Sequence, residues 1–162
     1  MTSFMSDPLL RFSNRQGFHL FAEGAQALSR FQKGRDPKQL QSAIQSLEQC
    51  TQADPGTQLG RFYLALAHSM NGPAGEQRAR DEFERMAADT PSVSLRLTAQ
   101  CNYACLLLPN PRAETMLNDV LREISACKKD PRLEQLKKTI EGILPEIKKK
   151  TIVAPVTPDI DF

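Results

Sequence analysis

Two amphipathic helices joined by a tight turn are indicated by residues 57–91, TQLGRFYLALAHSMNGPAGEQRARDEFERMAADTP. Apolar residues recur at helical spacing on both sides of Asn71-Gly72-Pro73, where the chain must turn. We predict helices over residues 57–71 and 74–89. Proline ends such segments because it lacks an amide hydrogen and disfavours α-geometry in the residue before it.

The same pattern extends in both directions and shows no strand-like alternation. Asp36-Pro37 supplies an N-cap and a first-turn proline for one further helix. Pro145 is expected to kink the last helix or end it early. We therefore predict an all-α fold, with the remaining helices over residues 15–33, 37–53, 92–108, 111–128 and 132–148.

Three Asp/Thr-Pro steps are each predicted to close an apolar helical segment. They are Asp54-Pro55, Thr90-Pro91 and Asp130-Pro131, separated by 36 and 40 residues. A period of about 20 to 50 residues is typical of stacked repeat proteins, which present surfaces to other molecules.

The helix pairs resemble tetratricopeptide repeats, whose unit of about 34 residues is a helix–turn–helix closed by proline. The resemblance covers residues 17–131, although no tryptophan is present and the loop at 34–38 is long. Its first-helix matches are Tyr63, Leu66, Ala67 and Met70, and the run Asn102, Tyr103, Ala104 and Cys105. Its second-helix matches are Ala43, Leu47, Cys50 and Pro55, and Ala79, Phe83 and Pro91.

The resemblance implies a right-handed antiparallel helix-pair solenoid of about three repeats plus a C-terminal capping helix. The repeat domain would span residues 15–150, between an N-terminal arm (1–14) and an extended tail (151–162). In this family the first helices line a concave groove, which would bind an apolar helix or an extended peptide. The protein would then be an interaction scaffold, an adaptor or a chaperone-like module.

The implied groove is mostly apolar with a polar patch in its middle. Two of its members, Phe18 and Phe21, are equally explained as core residues, because apolar stripes usually are core. The expected partner-binding residues are Phe18, Phe21, Arg61, Leu64, His68, Asn71, Cys101, Asn102 and Cys105.

A lysine-rich face at residues 128–150 offers an alternative function. Eight Lys or Arg residues face four acids there, so this region could attract nucleic acid or an anionic surface. No aromatic residue lies among them to stack a base, so nucleic acid is the less favoured partner. The candidate anion-binding residues are Lys137, Lys138, Lys148, Lys149 and Lys150.

Composition and motifs point away from an enzyme or a membrane span. The charged fraction of 25% and hydrophobic fraction of 40% are those of an ordinary globular chain. We expect no catalytic residues, no metal and no cofactor, because the sequence has no glycine-rich phosphate loop, nucleophile elbow or HExxH. Cys101 and Cys105 lie one turn apart, but a structural zinc site needs four ligands.

The termini and cysteines suggest where the protein resides and how it could self-associate. The N-terminus does not have the pattern of a secretory signal, and no apolar run is long enough to span a bilayer. Four cysteines lie within apolar helical patterns, so we expect reduced thiols and a cytoplasmic protein. The apolar residues of the tail, such as Phe162, could dock in a groove of this chain or of a second copy.

Overall fold

A computed structural model describes the backbone of residues 12–148 and the side chains of residues 12–147. Within this range the secondary structure is entirely helical, so the all-α class is confirmed. The predicted tail at 151–162, and the predicted arm up to residue 11, lie outside the described residues. The helices are α1 (Arg15–Gly34), α2 (Pro37–Ala53), α3 (Gln58–Ser69), α4 (Gly72–Asp89), α5 (Val93–Leu106), α6 (Arg112–Ala126) and α7 (Pro131–Lys148).

Short polar side chains fix the starts of four helices. Asn14 Oδ1 accepts a hydrogen bond from Gly17 N in the first turn of α1. Asp36 Oδ1 accepts one from Lys38 N in the first turn of α2. Thr57 and Ser92 accept from the third amides of α3 and α5. Each cap satisfies an amide that the helix itself leaves without a partner, which explains why the helices begin at these residues.

One proline step behaves differently from the sequence prediction, and a second proline does not end its helix early. Asp130-Pro131 opens α7 and does not close a helix, since α6 already ends at Ala126 and Asp130 Oδ1 accepts from Arg132 N at 2.8 Å. Pro145 lies inside α7, which continues to Lys148. Proline removes the amide that would bond to the Glu141 carbonyl, and water can satisfy that carbonyl because Glu141 is exposed.

The chain divides into two compact units, Met1–Glu82 and Phe83–Phe162, with the division inside α4. In the first unit α1 packs on α2, α2 packs on α3, and α1 also contacts α3. In the second unit α5 packs on α6, α6 packs on α7, and α5 also contacts α7. Short loops join the successive helices of each unit, and such loops produce antiparallel neighbours.

Three helices share one pattern of buried residues. An alanine is followed four and seven positions later by larger apolar residues, which places all three side chains on one helix face. The alanines stand 36 and 34 residues apart, and the third of them was not among the residues matched to the repeat pattern. The fully buried sets are Ala43, Leu47 and Cys50 in α2, Ala79, Phe83 and Met86 in α4, and Ala113, Leu117 and Val120 in α6.

The contact between α1 and α2 requires a residue without a side chain, and this gives a stability prediction. A Cβ atom at Gly24 would lie 2.6 Å from Leu47 Cγ, and Leu47 is fully buried. We expect Gly24→Ala to lower the free energy of unfolding by about 1–3 kcal/mol, the usual cost of overpacking a core. Urea unfolding followed by circular dichroism measures this loss.

Gly34→Ala is the matched control, since Gly34 ends the same helix and a Cβ atom there meets nothing within 4 Å. It should leave stability unchanged or slightly raised, because alanine favours the helix. Equal stability of the two variants would contradict the close packing of α1 on α2.

Candidate partner-binding surface

Helix α3 is open to solvent on only one side. Eight of its twelve residues are buried. Apart from Gln58, the rest are Arg61, Leu64 and His68, which lie three and four positions apart and so share one face. We call these three residues the α3 stripe. Asn71 is exposed just beyond the helix end.

Arg61 is held in place by a carboxylate of the next helix. Its Nε and Nη2 atoms donate to Glu82 Oε1 at 2.8 and 2.7 Å, and both side chains are about three-quarters buried. A charge-assisted contact through two nitrogens fixes the plane of the guanidinium. A partner therefore meets a rigid, largely neutralised arginine, which is poorly suited to capturing a terminal carboxylate.

His68 contributes a neutral ring to the surface. Burial lowers the pKa of His68 below its usual 6.5, and the nearby Arg78 cation lowers it further, while Glu48 opposes the change. A neutral imidazole has one donor and one acceptor nitrogen. Beside it, Asn71 Oδ1 accepts a hydrogen bond from Gln41 Nε2 at 3.4 Å. The polar end of the stripe can therefore both donate and accept hydrogen bonds.

The two phenylalanines proposed for the groove have different environments. Phe21 is fully buried and meets the Tyr63 ring edge-on at a centroid distance of 4.9 Å, so it belongs to the core. Phe18 is 39% exposed and remains available at the surface. The Phe12 ring packs against the rings of Phe18 and Phe21.

In α5 the exposed face differs from the one expected. Cys101 and Asn102 are buried, so they contribute to the interior of the second unit, while Cys105 is half-buried. Buried neighbours surround them because α5 packs on both α6 and α7. The residues that reach the surface on one face, which we call the α5 stripe, are Val93, Arg96, Gln100 and Tyr103.

The helix caps relate part of the exposed face of α5 to that of α3. Ser92 follows Thr57 by 35 residues, which makes Arg96 the counterpart of Arg61. The two arginines also behave alike, since Arg96 Nη2 pairs with Glu123 of α6 as Arg61 pairs with a glutamate of α4. The face predicted from the sequence, with Cys101, Asn102 and Cys105, is displaced from the observed one.

The four cysteines all lie within residues 12–148. All four are free, and that range holds no group of three or more His, Cys, Asp or Glu residues placed to bind a metal ion. Cys101 donates a hydrogen bond to Cys105, which lowers the pKa of the Cys105 thiol and raises that of Cys101. The pair therefore has one more acidic and one less acidic thiol.

The lysine-rich face is described only in part. On α7, Lys137 is half-buried and Lys138 is exposed. The Lys148 side chain and the residues Lys149 and Lys150 lie outside the described range. None of the described helices combines the length and apolarity that a bilayer crossing requires.

Comparison with known proteins gives no template for this surface. No family model, curated protein or solved structure matches the chain. The candidate surface is therefore defined by its own burial and bonding. Each unit has its own candidate surface, which is the α3 stripe with Phe18 in the first unit and the α5 stripe in the second.

The environment of His68 predicts a pH-dependent contribution to stability. Its folded pKa lies below the unfolded value near 6.5, so the unfolded chain takes up the proton first as pH falls. Stability is fully present above pH 6.5 and declines as pH falls through 6.5 towards the lower folded pKa. We expect the wild type to lose more stability than His68→Gln between pH 7.5 and about 5.

Urea unfolding of both proteins across this range measures the difference. Acidic residues titrate in both chains, so subtracting the two curves isolates the contribution of His68. Parallel curves would show that the imidazole is equally hydrated in the folded and unfolded states.

Proposed function

We propose that this protein is an interaction scaffold in which the α3 stripe and Phe18 bind a segment of another protein. The observation that carries this proposal is the enclosure of α3, which is buried on every side but one. A helix enclosed in this way holds its outward side chains in fixed positions. Such preorganisation reduces the entropy lost on binding.

We further propose that the helix pairs are tetratricopeptide-like repeats, about three of them in a right-handed antiparallel solenoid with α7 as the capping helix. The buried alanine-led triads support this, with spacings of 36 and 34 residues. The equivalent caps Thr57 and Ser92 support it as well. Within each unit a helix contacts both the next helix and the one after it, which is the packing expected of stacked repeats.

The chemistry of the stripe favours a partner segment that combines apolar and hydrogen-bonding groups. Leu64 lies between Arg61 and His68 along α3 and provides an apolar contact about two helical turns from Asn71. An amphipathic helix or an extended peptide could cover Leu64 with one side chain and bond to His68 with another group. The α5 stripe offers similar chemistry in the second unit through Val93 and Tyr103.

Leu64→Glu provides the test of this surface. A carboxylate placed where an apolar contact forms should weaken partner binding at least tenfold, because the charge would be desolvated on binding. Partners captured from the source cell by the wild type are identified, purified and titrated against both proteins by calorimetry. Circular dichroism should be unchanged, since Leu64 is only half-buried.

Gln45→Glu is the matched control, because Gln45 is exposed on α2 and the substitution likewise adds one negative charge. It should bind like the wild type. Equal binding by Leu64→Glu would remove the α3 stripe from the proposal. Capture of nucleic acid that is lost in high salt but insensitive to Leu64→Glu would favour the lysine-rich face instead.

A further inference from the structure

The residues just before α1 are bound to the first unit through side-chain and backbone contacts. The Phe12 ring lies 5.5 Å from the Phe18 ring and 5.1 Å from the Phe21 ring, measured between centroids. The first contact is edge-to-face, an arrangement that aromatic pairs prefer. We call this surface, formed by Phe18 and Phe21, the aromatic seat.

A buried carboxylate holds the backbone next to the seat. Ser13 N donates to Asp54 Oδ2 at 2.6 Å, although Asp54 is only 2% exposed. Burying a carboxylate is costly unless donors surround it, so Asp54 has a strong requirement for this amide. The main chain of Asp54 is also fixed, because its N–H donates to Cys50 O and its carbonyl accepts from Thr57 N.

The third contact, after those of Phe12 and Ser13, is made by the amide side chain of Asn14. Asn14 Nδ2 donates to Ala53 O at 3.0 Å, at the carbonyl end of α2. The receiving groups come from α1 and from the end of α2, and they form a single site around three consecutive residues. Two bonds depend on the direct continuation of the chain into α1, from Gly17 N to Asn14 Oδ1 and from Phe18 N to Asn14 O.

We propose that the aromatic seat and Asp54 form a recognition site for a peptide with an aromatic side chain followed by a residue whose backbone N–H is free. In this structure the chain's own Phe12–Asn14 occupies the site, and a partner segment of the same chemistry enters by displacing it. The inference rests on the proposed scaffold function and specifies what the partner carries. Phe18 remains 39% exposed with Phe12 in place, so one part of the occupied seat stays accessible to solvent.

Occupation by the protein's own residues would make the site self-limiting. A tethered ligand acts at a high effective concentration, roughly millimolar for a short flexible link. A free peptide must compete with it, and its apparent affinity falls by the fraction of time the seat is vacant. Removing the Phe12 ring should therefore strengthen binding of a peptide that supplies the same ring.

The test uses the full chain carrying Phe12→Ala. The probe is a fluorescent acetylated peptide of residues 8–16, PLLRFSNRQ, followed by anisotropy. We expect it to bind Phe12→Ala at least tenfold more tightly than the wild type. The same peptide with alanine in place of its phenylalanine should bind neither protein, and adding Phe18→Ala to Phe12→Ala should abolish binding.

Phe31→Ala is the matched protein control, because Phe31 is buried near the other end of α1, where it leaves the seat filled. It should bind the peptide as weakly as the wild type. Equal binding to wild type and Phe12→Ala, or binding to neither, would overturn the inference. Loss of helical circular dichroism in Phe12→Ala would also overturn it, since Phe12 would then be an indispensable part of the fold.

This outcome is separable from that of the scaffold proposal. If Phe12→Ala does not bind the peptide more tightly than the wild type, while Leu64→Glu still weakens partner binding, the α3 stripe remains supported and the recognition site at Asp54 is ruled out. If the peptide binds as expected while Leu64→Glu has no effect on the captured partner, the site stands and the stripe is withdrawn.

Discussion

Close approach between neighbouring helices is the constraint on which this fold depends, and small residues make it possible. On α1, Gly24 lies directly over Leu47 of α2, with no space for even one added carbon. In the second unit Ala104 and Ala113 belong to the same buried cluster, which joins α5 to α6. Because the helices lie so near each other, the larger side chains around these points are completely buried. The enclosure of α3, and hence its single open face, is a consequence of the same packing.

Helix boundaries could be predicted from the sequence because their signals are local. Caps, glycines and prolines act on the residues beside them, and the predicted helix boundaries agree with the structure to within two residues. Proline is ambiguous by itself, however, since it both follows helices and opens them. Asp130-Pro131 was therefore assigned to the end of a helix when it begins α7. Alanine spacing gives a more regular period than the proline steps do.

The candidate surface could be predicted on α3 and not on α5, and the difference is physical. On helix α3 the polar residues Arg61 and His68 lie on one narrow face, and the residues on the other faces are mostly apolar and buried. Helix α5 carries small or apolar residues around most of its circumference, so periodicity hardly distinguishes its faces. The contact of Ser13 with Asp54 was also out of reach, because it joins residues 41 positions apart through a backbone amide. No residue pattern records such a bond.

The pairing of Arg61 with Glu82 has a kinetic consequence for any molecule that meets this surface. A guanidinium neutralised at contact distance projects only a weak field beyond the first layer of water. Encounters would then be governed by diffusion and orientation, at about 10⁵–10⁶ M⁻¹s⁻¹, without long-range steering. Differences in affinity between ligands would then come from their dissociation rates, since their association rates would be nearly the same.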